Sequence, residues 1–145
     1  MIQYTKTISQ DEILYDVDFT TWKVAKCRIA ETEAQAEAQT DNENYRWFIR
    51  QYDTAVEHIK NKLQAYIVPT EDDTFHFAFP DAWRGNIKAL MTYIHRFIVD
   101  YILYEWFKMT LPNEAATYLA SATDWEDKII NEARSEDVRN VFFRL

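Results

Sequence analysis

The chain has 145 residues, with 16 Lys+Arg against 24 Asp+Glu for a net charge of −8, and it contains one Gly, three Pro and one Cys. Average usage at this length gives roughly ten Gly and seven Pro. With Gly85 as the only glycine, no P-loop, dinucleotide-binding turn or G-x-S-x-G elbow can be built, because each needs backbone at two or more glycines.

The same scarcity removes the Asn-Gly and Asp-Gly turns on which tight hairpins lean, so the chain is expected to be mostly helix. Residues 3–8, QYTKTI, have strand character but are short enough to be only an edge strand. Ser9 and Glu12 fit a capping box, which opens a short helical stretch through Ile13, Leu14 and Val17. Asp18 is placed to cap a further segment carrying Trp22, Ala25, Ile29 and Ala36. The polar segment 30–44 has good helix formers and a weak apolar face, which describes a solvated helix or arm.

Tyr45, Phe48, Tyr52, Ala55, Ile59, Leu63 and Tyr66 recur at spacings of three and four and line one helix face, with Pro69 as its stop. Phe75, Phe77 and Phe79 alternate with His76 and Ala78, the period of a half-buried strand. One or two short strands cannot hold a sheet alone, so residues 74–79 must pack on helices, pair with 3–8 or pair with another chain. A third helix is predicted from about Asp81 to Met109. Its apolar residues cover more than one face, which marks it as central. Ile94, Ile98, Tyr101 and Trp106 are expected to be buried against Phe48, Tyr52, Ile59 and Leu63. From Pro112, a fourth helix carries the stripe Ala115, Tyr118, Ala122, Trp125, Ile129 and Ala133. The tail 137–145 brings Val138, Val141, Phe142, Phe143 and Leu145 together with Arg139 and Arg144.

The fold class expected is therefore all-α in the main: one domain over 1–145, an antiparallel bundle of about four helices with one or two short β-strands. The start, MIQYTKTISQDE, has no apolar core for a signal peptide. His95, Arg96, Asp100, Glu105 and Lys108 make the greasiest stretch too polar to span a membrane. The expectation is a soluble protein, intracellular where it is made.

Chemistry is sparse. A surface this acidic does not attract a phosphate backbone, so sequence-specific nucleic-acid binding is not expected. His58, His76 and His95 stand far apart, no Glu-x-x-His occurs, and Cys27 alone makes neither a disulfide nor a zinc site. Asp100 and Glu105 lie five residues apart, on different faces of one helix, which argues against a proton-sharing pair. A lone cysteine on a helix is ordinarily a small apolar filler. No catalytic, cofactor-binding or metal-binding residue is assigned, and no enzyme is expected. Five Trp, nine Tyr and nine Phe exceed what a few helices readily enclose, and these residue types are enriched where proteins meet. The candidate subunit-interface residues are Phe75, Phe77, Phe79, Val141, Phe142, Phe143 and Leu145.

Two segments carry a resemblance: EILYDVDFTTWKVAKCRI with DNENYRWFIRQYDTAVEHIKNKLQAYI, and DTFHFAFPDAWRGNIKALMTYIHRFIVDYILYEWFKMTLPNEAATYLASATDWEDKIINEA. Over roughly 12–135 the chain resembles small helical virion proteins of the head–tail connector and tail-completion type, from tailed bacteriophages and prophages of gut Bacteroidetes. The resemblance is a pattern of helices, seen best in IHRFIVDYILYEWF followed by NEAATYLASATDWEDKI. It implies a non-enzymatic subunit of a ring at the portal–tail junction, in the virion and assembled in the bacterial host cytoplasm. The implied partners are further copies of itself and portal or tail proteins, with no cofactor. An acidic subunit suits a conduit through which DNA passes without sticking. Two departures stand out: the apolar VFFRL where basic, Pro-containing tails are expected, and the acidic 30–44 segment. The alternative from the residues alone is a small acidic helical interaction module, an adaptor or an inhibitor or immunity-type protein.

Overall fold

The structure, a computed structural model, describes residues 1–26 and 43–136. The expectations placed on Cys27, on the polar residues 30–42 and on the tail 137–145 lie outside the described residues. Along the chain come β1 (Ile2–Thr7), α1 (Gln10–Ala25), α2 (Glu43–Lys62), β2 (Ile67–Val68), β3 (Thr74–Phe79), α3 (Ile87–Phe107) and α4 (Pro112–Ala133). The protein is mainly helical, with a small three-stranded antiparallel sheet in the order β1-β3-β2.

Local chemistry sets the helix ends. The Ser9 hydroxyl accepts the Glu12 backbone N–H at 3.3 Å and opens α1, as its capping-box spacing predicts. Asp18 does not start a new segment; it lies within α1, which runs unbroken to Ala25. No glycine is available to close the helix, so Lys26 takes the left-handed cap at φ 55°, and its N–H reaches the Trp22 carbonyl. The Asn86 side chain caps α3 through the Ala89 N–H at 3.1 Å. This puts the start of α3 six residues after the expected Asp81, because residues 80–86 are committed to loop bonds around Trp83. Pro112 opens α4, where its missing N–H costs nothing.

α3 is the central helix. It buries Leu90, Ile94, Phe97, Ile98, Val99, Ile102, Leu103 and Phe107, and it packs most extensively on α4. Phe107 stacks on Tyr118, Asp100 binds Ser121 and Tyr93 stacks on Trp125. These pairs run in opposite order, so α3 and α4 are antiparallel. Trp47–Trp106 and His58–Phe97 show the same for α2 and α3. Ala115, Ala122 and Ala133 supply the buried, close-approaching face of α4, as the stripe predicts.

Two expectations about the core change. Ile94 and Ile98 are buried, together with Phe48, Tyr52, Ile59 and Leu63, but Tyr101 and Trp106 are only half-buried. Trp106 lies edge-on to Trp47 near the bundle end, with ring centroids 5.2 Å apart. Trp106→Ala is therefore expected to cost about 1–2 kcal/mol by urea denaturation, rather than the roughly 3–5 kcal/mol of a fully enclosed ring. α2 ends at Lys62, not Tyr66. The chain turns through 63–66 so that Ile67 and Val68 can pair with Phe77 and His76.

β3 is the central strand, with β1 paired along its whole length from Ile2↔Phe79 to Thr7↔Thr74. The expected strand at 3–8 and its pairing with 74–79 are both present, and β2 makes a third strand. Phe75, Phe77 and Phe79 all point into the core and stack in a ladder at 5.6 and 5.4 Å. They belong to the chain's own core, so the subunit-interface role assigned to them is withdrawn: a ring with no exposed surface cannot meet a neighbour.

Candidate functional site

The histidines and several core-facing carboxylates among the described residues are bound into the fold. His95 meets Asp16 at 2.6 Å, and His58 meets Glu126 at 2.9 Å while stacking on Phe97. His76 lies 3.4 Å from the Thr5 hydroxyl across the strand pair. Asp100 accepts the Ser121 hydroxyl at 2.6 Å and a side-chain hydrogen bond from Trp125. Glu105, on another face, pairs with Lys108. Among the described residues, no group of three or more His, Cys, Asp or Glu is placed to hold a metal ion. No described helix is long and apolar enough to cross a membrane.

Burial raises the Asp100 carboxyl above the usual aspartate range, against the lowering effect of Ser121, Trp125 and Arg96. A folded-state pKa above the unfolded one means that the fold holds the proton more tightly. Stability therefore falls as pH rises from the ordinary aspartate value through the raised one. Asp100→Asn keeps an acceptor for Ser121 without the charge. Its melting temperature should match wild type in acid and exceed it progressively toward neutral pH; a pH-independent difference would assign the effect to packing.

Two surface features stand out among the described residues. The first is a cleft of about 690 Å³ between α2 and the 69–73 loop. Asp53, Glu57, Glu71, Asp72 and Asp73 line it together with Lys60. The loop is tethered from below. Lys60 is buried, its ammonium lies over the Phe75 ring, and it donates to the Thr70 hydroxyl at 2.8 Å, the Thr70 carbonyl at 3.3 Å and the Asp72 carbonyl. Three acceptors use up its three protons, so this lysine is a strut rather than a free amine. The Tyr52 hydroxyl donates to Asp73 at 2.9 Å, and burial followed by that bond pushes its pKa well up. Asp53 is raised by burial and by the neighbouring Asp73 charge, whereas the Thr70 hydroxyl and Thr74 N–H lower Asp72. The arrangement is an acid-rimmed hollow whose lining also includes the apolar groups of Val56, Ile67 and Pro69.

The second feature is the outer face of α1. Ile13, Leu14, Val17 and Thr21 point inward. Tyr15, Phe19 and Trp22, at i, i+4 and i+7, lie together on the other side. They are 65%, 58% and 45% exposed, and the Lys26 ammonium sits over the Trp22 ring. Sequence reading gave Trp22 to a further segment with Ala25, Ile29 and Ala36 and passed over Tyr15 and Phe19. The available signal was that α1 carries large apolar groups on two faces, one more than its own core uses. Of the seven interface candidates, Phe75, Phe77 and Phe79 are inside the core, and Val141, Phe142, Phe143 and Leu145 lie outside the described residues.

Comparison with protein-family models, with curated proteins and with solved structures gives no match to this chain.

Proposed function

We propose that this chain is a non-enzymatic virion structural protein, a head–tail connector or adaptor subunit that assembles into a ring at the portal–tail junction. The observation that supports the reading is the exposed aromatic face of α1, where Tyr15, Phe19 and Trp22 lie together, because grouped aromatic rings on a surface are often where proteins meet. The helical pattern over 12–135 and the net charge of −8, suited to a passage that DNA must not adhere to, agree with it. His58, His95, Lys60 and Asp100 each make a bond within the fold.

The test is the mass in solution across a concentration series, followed by electron microscopy of any assembly. Closed rings are the expected result. A strict monomer, alone and mixed with portal and tail proteins, would retire the reading. A second reading, a small acidic interaction module, is favoured by the five carboxylates around the cleft. It predicts a monomer that forms a stoichiometric complex with a basic protein.

A further inference from the structure

We infer that the cleft between α2 and the 69–73 loop seats a short, extended, arginine-bearing segment of a partner protein. This rests on the second reading above, the acidic interaction module, and names its contact. At about 690 Å³ the cleft falls within the range of ligand-binding cavities, roughly 300–1,000 Å³. Its helix wall runs along α2 from Asp53 to Asn61, about 12 Å at the helical rise per residue. An extended chain covers that length in about three or four residues.

Charge selects the occupant. Five carboxylates against one ammonium leave the cleft four negative charges, half of the chain's net −8. The ammonium has nothing left to give: Lys60 lies 3.7 Å from the Asp72 carboxylate, and its three protons are committed to the loop. Asp53, Glu57 and Glu71 form no ion pair among the described residues. The carboxylates stand on both walls, Asp53 and Glu57 on the helix and the other three on the loop. Burial first, and then the Asp73 charge across the cleft, raises the Asp53 carboxyl. A cation between the walls relieves that repulsion. A bare metal ion is the wrong cation, because no group of three or more carboxylates or histidines among the described residues is placed to hold one. Val56, Ile67 and Pro69 supply apolar lining in the same cleft, which suits the aliphatic stem of a long basic side chain whose head stays at the rim. Arginine fits better than lysine, because its planar fork answers carboxylates on two sides where an ammonium is a point charge.

The experiment titrates the isotope-labelled full chain with an acetylated Ser-Leu-Arg-Leu-Arg-Ser peptide at physiological salt, following backbone amides by NMR. Amides of 53–61 and 70–73 should shift together and saturate at one peptide per chain. Asp53→Asn combined with Glu57→Gln, both at exposed positions, should weaken binding about tenfold or more. Asp124→Asn combined with Asp127→Asn removes the same charge from α4, outside the cleft, and should change binding less than about twofold. Circular dichroism checks that both variants fold. A peptide with citrulline for arginine keeps the stem without the charge and should not bind. Equal weakening by the two pairs would mean a general attraction to an acidic surface; the cleft contact then falls while the module reading stands. Calcium or spermidine shifting the cleft amides at lower concentration than the peptide would put a free cation in place of a protein partner and overturn the inference. If no cleft amide shifts at millimolar peptide, the inference falls, and a complex with a basic protein through another surface would still keep the module reading.

Discussion

Gly85→Ala is expected to be among the most damaging single-methyl changes in this protein. A Cβ at this position would sit 2.5 Å from the Trp83 indole Cε2 and 2.7 Å from the Glu132 carbonyl oxygen. Neither neighbour can retreat. The Trp83 indole N–H donates to that same carbonyl at 3.0 Å, and the indole lies flat on Phe79, with centroids 4.0 Å apart and planes 5° from parallel. The Asn86 N–H donates to the Glu132 carboxylate at 2.6 Å, the Arg84 N–H to the Ser135 carbonyl at 3.0 Å, and Trp83 bridges Glu136. Residues 83–86 therefore form a clip that fastens the end of α4 to the end of the sheet, and the glycine is the gap through which it passes. Overpacking costs about 1–3 kcal/mol where side chains can yield, and occasionally more. Here backbone would have to move, so about 3 kcal/mol or more is expected, seen as a lower urea midpoint with the slope unchanged. A loss below about 1 kcal/mol would mean that the clip is loose.

The second large effect is at Phe79, which is fully buried between the Trp83 indole, Phe77 and Tyr66. Phe79→Ala should cost about 3–5 kcal/mol through lost transfer energy and the cavity left behind. Typical domains have only about 5–15 kcal/mol in total, so the variant is expected to be partly unfolded at warm temperatures. Phe79→Leu nearly conserves volume and should cost under about 1.5 kcal/mol, which separates packing from any effect of the backbone. Because Phe79 and Gly85 act through the same indole, their costs should not add. The double variant should lose less than the sum of the two, and strict additivity would show that Trp83 does not couple them.

Features written in nearest-neighbour chemistry could be read from the sequence. The Ser9 cap, the inward period of β3, the many-sided burial of α3 and the alanine stripe of α4 all rest on spacings within one element, and all are present. What could not be read was set by distant partners. Ile67 and Val68 form a strand because Phe77 and His76 offer an edge, which no helix propensity anticipates. Lys60 looks like an ordinary solvated lysine until the 70–72 loop folds over it. Gly85 could be counted and used to exclude phosphate-binding loops, but its steric task depends on Glu132, 47 residues away. The exposed face of α1 was legible in principle. Tyr15 and Phe19 sit opposite Ile13, Leu14 and Val17, yet a short window reads all five simply as apolar.

The position of β1 at the edge of the sheet also bears on how the chain is made. Thr7 pairs with Thr74, 67 residues further on. At about 5–20 residues per second of synthesis, β1 waits on the order of 3–15 s before β3 exists for it to join. Through that interval it is an unpaired strand beside helices already able to form. Its sequence suits the wait. Gln3, Thr5, Lys6 and Thr7 are polar, and only Ile2 and Tyr4 are drawn toward the core, so the waiting strand has little with which to capture another nascent chain. The phenylalanine-rich strand is translated later and finds its partner already present. The order in which the two strands leave the ribosome thus places the aggregation-prone one second.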